Sequence, residues 1–314
     1  MIEPLSFLNM AVFQRGVNPD SSPDEFSALM DVPLFIGYML SYLLQGILFV
    51  QMFLYCLVFR RTDPIYLRIT VLLIFMVELA STLIATVIVI ESIVLAGYLA
   101  FSVALQPAFT GICILCGLAA TMVQGSYAWR IHLLGGSWKI TVPIMILSVT
   151  QCVMVSYWGS LDEEAGLLEL AGTKTIHSAS AVFTAWLVSS TICDIMITIT
   201  LFYLRKQIQS TQSQSLIVRV QRAMTIAIDT GVLTAIGASF QLLLFLSLEN
   251  SLIDMTLFYA LPKLYSNSLM ATLNARIIVK AGTFPDDNAE VEDKLLEYGA
   301  GNKTIGDPES LKSL

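Results

Sequence analysis

Seven long apolar runs constrain the fold of this chain more than any other feature of its sequence. Hydrophobic residues make up 56% of the 314 residues and charged residues only 13%, whereas about 25% of residues are charged in an average soluble domain. A helix needs roughly 20 apolar residues to cross about 30 Å of hydrocarbon. The runs are Val32–Phe59, Ile69–Ile90, Pro107–Trp129, Ile140–Trp158, Ala179–Leu204, Ala223–Leu248 and Leu252–Val279. The sequence therefore predicts an all-α integral membrane bundle of seven transmembrane helices, with the lipid bilayer as its first partner.

Basic residues predict the orientation of this bundle, because cytoplasmic loops are enriched in Lys and Arg. One set of connecting segments contains Arg60, Arg61, Arg68, Arg130, Lys139, Arg205, Lys206, Arg219, Arg222, Arg276 and Lys280. The opposite set contains only Arg15 and Lys174. We therefore expect the N-terminus outside and the C-terminus in the cytoplasm, in the plasma membrane or an endomembrane.

The chain divides into three regions by composition. Residues 1–31 are acidic and rich in turn-forming residues, which predicts a flexible extracellular arm. Residues 32–280 form the membrane domain, and residues 281–314 have the composition of a disordered acidic cytoplasmic tail. A polar, Ser- and Gln-rich stretch within residues 205–222 predicts a mobile inner loop. We expect any cytoplasmic partner to bind this loop or the tail.

Four ionisable side chains lie deep in the predicted spans, where a charge costs at least about 2.5–3.5 kcal/mol and usually faces the bundle interior. They are Glu78, Asp194, Asp229 and Lys263, on the second, fifth, sixth and seventh spans. We hypothesise a buried polar network of Asp194, Asp229, Lys263 and Asn267, with Glu78 reaching Lys263. One ammonium cannot neutralise three carboxylates in a dry interior. At least one acid should therefore be protonated, or contact water or a cation.

A polar stripe on the seventh span supports this hypothesis. Lys263, Asn267, Met270 and Asn274 follow the spacing that places side chains on one face of a helix. Three interpretations of the network stay open: it fixes the register of the helices, it binds a small ligand or ion, or it relays protons.

Several functional classes do not fit the sequence. His132 and His177 are the only histidines, and they fall near loops on opposite sides of the predicted membrane. No Ser/His/Asp set or His-rich metal centre can be assembled from them. All five cysteines fall within spans, and Cys113 belongs with Gly117, Thr121 and Gly125 to a stripe of small residues suited to close helix packing. We expect no enzyme activity, no cofactor or metal, and, without a basic surface, no nucleic-acid partner.

The topology favours a receptor- or sensor-like protein, because a long inner loop and an acidic tail suit a cytoplasmic partner. A small-solute or proton-coupled carrier is the alternative, since charges near the midplane suit transport. A purely structural membrane scaffold is the third possibility.

Two segments carry a resemblance to a known family. KLYSNSLMATLNAR (Lys263–Arg276) and IDTGVLTAI (Ile228–Ile236) resemble the closing signature of multi-pass membrane proteins of basidiomycete fungi, catalogued as a domain of unknown function. AWRIHLL and SSTICDIMI are also similar to that family. The resemblance implies a fungal seven-helix membrane protein and no particular activity. Asp229 stands where the pattern has Asn, and Glu78 and Ser81 stand where it has Asp and His, so this core is more acidic than the pattern.

Overall fold

A computed structural model describes residues 23–59, 63–94, 100–168, 176–210, 215–247 and 253–281. The regular secondary structure in these ranges consists of α-helices alone. The helices are α1 (Pro23–Phe59), α2 (Ile65–Val94), α3 (Ala100–Leu133), α4 (Trp138–Leu168), α5 (Ile176–Ser210), α6 (Ser215–Ser247) and α7 (Ile253–Ala281). The described part of the chain thus confirms the all-α prediction with seven helices.

Six of the described helices are long and apolar enough to cross a membrane. Their apolar windows are Val32–Phe59, Ile65–Ile90, Pro107–Leu133, Trp138–Leu161, Ala181–Gln207 and Thr225–Ser247. Large apolar side chains such as Phe35, Leu57 and Ile199 are exposed on their outer faces, as contact with lipid requires. The chain is therefore a multi-pass membrane protein. The seventh predicted span forms α7, which is too polar to belong to this set.

The position of α7 explains how a polar helix fits into this bundle. Every residue from Asp254 to Ala275 is buried or half-buried. The contacts that enclose it come from all six other helices: Pro33 of α1, Glu78 of α2, Phe109 of α3, Trp158 of α4, Trp186 of α5 and Gly237 of α6. Because its neighbours shield it from lipid, α7 can carry polar side chains that an outer helix could not. It is the central helix of the unit that ends at Ala275.

α1 and α7 run parallel in a fixed register. Three α7 side chains donate hydrogen bonds to α1 carbonyls: Thr256 Oγ1 to Pro33 (2.7 Å), Asn267 Nδ2 to Leu44 (3.0 Å) and Asn274 Nδ2 to Gln51 (2.8 Å). In every case donor and acceptor are 223 residues apart. A constant separation means that both helices rise in the same direction at the same rate.

Glycine allows the closest helix approaches. A Cβ on Gly37 of α1 would lie 3.0 Å from the Cα of Thr256 on α7. Between α3 and α4, a Cβ on Gly117 would lie 2.8 Å from a methyl carbon of Val155, and one on Gly159 would lie 2.8 Å from the Cβ of Cys113. The small-residue stripe of α3 therefore packs against α4, as its spacing indicates.

Several boundaries differ from the predicted ones. α1 begins at Pro23 rather than Val32, because proline at a first helical position has a backbone angle that suits a helix. α5 continues to Ser210 and α6 begins at Ser215, so most of the predicted loop 205–222 is helical. Arg, Lys and Gln end the apolar span at Arg205–Gln207 but favour continued helix. Residues 1–22, 211–214 and 282–314, which include most of the predicted arm and tail, lie outside the described residues.

Candidate functional site

Lys263 forms a buried ion pair with Glu78 near the middle of α7. The side chains are 2% and 1% exposed, and Lys263 Nζ lies 3.1 Å from Glu78 Oε2. The same ammonium donates to Gln45 Oε1 (3.0 Å), Thr82 Oγ1 (2.7 Å) and the backbone carbonyl of Glu78 (3.1 Å). Its hydrogen-bonding capacity is thus used within the protein, by groups from α1 and α2.

The second oxygen of Glu78 is also satisfied. Ser266 Oγ, on α7, donates to Glu78 Oε1 at 2.6 Å. A buried ion pair offsets its desolvation cost only when further hydrogen bonds satisfy both charged groups. Here those bonds come from three helices. We call Gln45, Glu78, Thr82, Lys263 and Ser266 the lysine cluster.

Asp194 belongs to a different group of side chains on α3, α4, α5 and α7. Its Oδ2 accepts a hydrogen bond from Tyr265 at 2.5 Å, and its Oδ1 accepts one from Gln124 Nε2 at 3.1 Å. Gln124 also lies 3.4 Å from Gln151, and Tyr265 lies 3.3 Å from Ser190. In the described part of the chain, no cation lies within ion-pair distance of Asp194. We call these five residues the aspartate cluster.

The two clusters lie on opposite sides of α7. Lys263 and Tyr265 are two residues apart, which turns their side chains about 200° from each other around the helix. Lys263 therefore meets α1 and α2, whereas Tyr265 meets α5. The hypothesised single network is in this structure two networks with α7 between them, and Asp194 does not contact Lys263.

Asp229 joins neither cluster, which corrects the hypothesis for this residue. Its side chain is exposed, on the same face of α6 as the exposed Val232, Leu233 and Ile236. Its position along the span predicted a deep carboxylate, but the rotation of α6 turns the side chain to the outer face of the bundle.

Asn267 and Asn274 act mainly as contacts between α7 and α1. Asn267 Nδ2 donates to the carbonyl of Leu44 and to that of Lys263 (2.7 Å), and Asn274 Nδ2 donates to the carbonyl of Gln51. Both asparagines are buried. Asn267 thus connects the register contact with the lysine cluster, while Asn274 lies two turns further along.

The helical spacing places Ser190 on the face of Asp194, but the other uncharged members of both clusters were not predicted from the sequence. They are Gln45, Thr82, Gln124, Gln151, Tyr265 and Ser266. The signal was available for the amides, because glutamine in an apolar span usually bonds to a neighbouring helix. Ser, Thr and Tyr are too common in such spans to be selected by type.

Aromatic rings enclose the polar region toward the N-terminal end of α7. Phe258 lies about one turn before Lys263 and packs against Phe109, Trp158 and Trp186, with ring centroids 5.8–6.2 Å apart. Trp158 in turn packs on Phe183 at 4.4 Å. Edge-to-face and tilted ring pairs of this kind form a dense apolar layer. The layer separates the aspartate cluster from that end of the bundle, because its rings come from α3, α4 and α5.

Comparison with known proteins adds a domain assignment but no activity. Residues 190–277 match the model of a family described as a family of unknown function (DUF6534). The matched range includes Asp194, Lys263, Asn267 and Asn274, and therefore the α5 and α7 parts of both clusters. No curated protein and no solved structure matches the chain. A domain of unknown function in a membrane bundle is thus shown, whereas the fungal origin stays a prediction.

Proposed function

We propose that the protein is a receptor- or sensor-like membrane bundle in which α7 is the element that responds. The observation that carries this proposal is the buried Lys263–Glu78 ion pair, which joins the central helix to α1 and α2. Fixing a register or a switch is the best attested use of buried polar groups. The pair is therefore a latch that selects one position of α7.

The two clusters support a two-state α7. Polar contacts hold one side of the helix through Lys263 and the other through Tyr265. Packed interiors change between discrete arrangements rather than deform continuously. A ligand that bound one arrangement more tightly would shift the population of α7, and all six neighbouring helices would feel the change. The protein would thus report binding by a rearrangement of the bundle.

A distance measurement tests the latch. Spin labels on Leu133 and Tyr203, both exposed near helix ends, would report the separation of α3 and α5 in a background with the exposed Cys56 replaced by Ser. We expect Lys263→Gln and Glu78→Gln to broaden or shift the distance distribution. Asp229→Asn, which neutralises an exposed charge, is the matched control and should leave it unchanged. Identical distributions in wild type and both latch variants would refute the proposal.

We also propose an orientation for the bundle and a location in the plasma membrane or an endomembrane. The distribution of Lys and Arg supports an N-terminus outside, a C-terminus in the cytoplasm, and a cytoplasmic partner at the α5–α6 connection or the tail. We also propose that the protein is not an enzyme.

The aspartate cluster favours a proton-coupled carrier as the second candidate. Asp194 has only neutral partners, and the hydroxyls of Tyr265 and Ser190 can each donate or accept. A proton could therefore pass along Asp194, Tyr265 and Ser190 with every group still bonded. Proteoliposomes under an imposed pH gradient test this: Asp194→Asn should abolish proton entry, whereas Asp229→Asn should not. Wild-type proteoliposomes that admit no protons would contradict the carrier. If the spin-label distances also show no change in the latch variants, the protein is a structural scaffold.

A further inference from the structure

Four buried amide atoms along the contact between α1 and α7 have no hydrogen-bond partner among the described residues. They are Gln45 Nε2, Gln51 Oε1, Asn267 Oδ1 and Asn274 Oδ1. Gln45, Asn267 and Asn274 are each more than nine-tenths buried, and Gln51 is half-buried. Buried polar atoms in folded proteins nearly always bond to protein or to ordered water. This contact, which we call the α1–α7 seam, therefore requires partners beyond the residues that the structure describes.

The orientation of these amides is fixed by their other bonds. Asn267 and Asn274 face backbone carbonyls, which only accept, so the nitrogen must point there and the oxygen must point away. Gln45 faces the ammonium of Lys263, which only donates, so its oxygen must point there. Exchanging the amide atoms of these three residues would replace a good contact with a repulsive one. The free atoms of Gln45, Asn267 and Asn274 are thus fixed by the contacts that the other amide atoms make.

The free atoms fall at two levels of the seam. Gln45 and Asn267 lie beside Lys263, where Gln45 Nε2 is a free donor and Asn267 Oδ1 is a free acceptor. The other amide atom of Gln45 bonds to Lys263, and that of Asn267 bonds to the Leu44 carbonyl. Gln51 and Asn274 lie two turns further toward the C-terminal ends of both helices, about 10 Å away, and present two free acceptors. A molecule that both donates and accepts satisfies the first level, and a donor satisfies the second. Water does both.

We propose that a file of water molecules occupies the α1–α7 seam and reaches the free amide atoms of Gln45 and Asn267, beside the Lys263–Glu78 pair, from the end of the bundle at which α1 ends. A buried water usually makes two to four hydrogen bonds to groups that would otherwise be unsatisfied. The half-buried Gln51 gives the file its route toward the surface. The close approach of Gly37 to Thr256 and the contact of the Tyr38 and Tyr259 rings close the other end of the seam. Such water would reach the lysine cluster in a sensor as well as in a carrier.

Radiolytic labelling tests the file directly, because X-rays split bound water into hydroxyl radicals that oxidise the nearest side chains. Met270 lies on the α7 face between Asn267 and Asn274 and is 2% exposed. Met255, on the same helix, is 7% exposed but lies in the apolar core near Phe258. Bulk solvent should therefore oxidise Met255 more, and seam water should oxidise Met270 more. We expect oxidation of Met270 to the sulfoxide to exceed that of Met255 and to persist when a scavenger removes radicals from the bulk.

Two variants link the label to the seam. Asn274→Leu and Gln51→Leu each remove a free acceptor, and both should cause loss of most Met270 oxidation with Met255 unchanged. Gln51 is only half-buried, so its variant keeps the test valid if Asn274→Leu fails to fold. Thr70→Leu, at a half-buried α2 position whose hydroxyl donates to the Tyr66 carbonyl of the same helix, is the control and should change neither methionine. The proposal is overturned if Met270 is oxidised no more than Met255, or if its oxidation is undiminished in a folded seam variant. A lipid alcohol that occupied the seam in place of water would leave Met270 unoxidised, and that result would also overturn the proposal.

Discussion

Replacing Lys263 and Glu78 singly and together measures how strongly the two charges depend on each other. Lys263→Met would leave the Glu78 carboxylate buried, with Ser266 as its remaining side-chain donor. Glu78→Met would leave the ammonium with neutral acceptors only. Removing one partner of a buried pair costs about 3–5 kcal/mol, because the other charge stays without compensation. Each single variant should therefore lower the free energy of unfolding by about that amount.

The double variant should be less harmful than either single one. Without both charges, the main losses are the hydrogen bonds of Gln45 and Ser266 to them. A hydrogen bond within a membrane protein averages about 0.6 kcal/mol, so the double variant should cost only about 1–2 kcal/mol. Thr82 keeps its bonds to Gln45 and to the backbone carbonyl of residue 78. The resulting coupling energy is roughly 6 kcal/mol, far above the value for an exposed ion pair.

Equilibrium unfolding in bicelles, followed by fluorescence of the buried Trp158, supplies the free energies of wild type and the three variants. Asp229→Met, which removes an exposed charge, is the matched control. It should cost little or nothing. Additive effects of Lys263→Met and Glu78→Met, with a coupling near zero, would refute the assignment of a compensated buried pair.

Three further predictions concern close packing, the lipid face and the aspartate cluster. Gly37→Ala should destabilise the fold by about 1–3 kcal/mol in thermal melting, because the added Cβ would press on the Thr256 backbone. Gly46→Ala is the control and should be neutral or stabilising, because nothing lies within 4 Å of the added Cβ. Asp229→Leu should raise the melting temperature or leave it unchanged, since this exposed side chain lies on an apolar face; a large loss would place a partner there. Tyr265→Phe should lower the free energy of unfolding by about 1.5–3 kcal/mol, because the 2.5 Å hydrogen bond to Asp194 is lost. In an Asp194→Asn background the same substitution should cost much less. An unchanged cost in that background would contradict a direct bond between the two side chains.

The extent of the bundle could be predicted from the sequence because span length is a local property. The run Val32–Phe59 lies wholly within α1, because the hydropathy of those residues alone marks them as a span. The helix ends were less predictable. Polar helix formers after Leu204 end the apolar span without ending the helix, which continues to Ser210.

The partners within the core could not be predicted to the same degree. Spacing places Lys263, Asn267 and Asn274 on one stripe, and all three are buried. Which acid meets Lys263 depends on the rotation and order of the helices around α7, and that is set by packing contacts such as Gly37 on Thr256. Sequence depth therefore grouped Asp194 and Asp229 with Lys263, whereas rotation separates them. The central position of α7 could not be predicted either, because the polarity of this helix fits a pore-lining helix as well as a helix enclosed by its neighbours.

Photolabelling from the lipid phase tests the central claim, that α7 is enclosed by the other six helices. A lipid carrying a diazirine inserts into whatever side chains it touches, and peptide mapping then gives the labelled helices. We predict strong labelling of the exposed face of α1, including Phe35 and Leu57, and none between Asp254 and Ala275 of α7. Labelling of that α7 segment at the level of α1 would contradict the account.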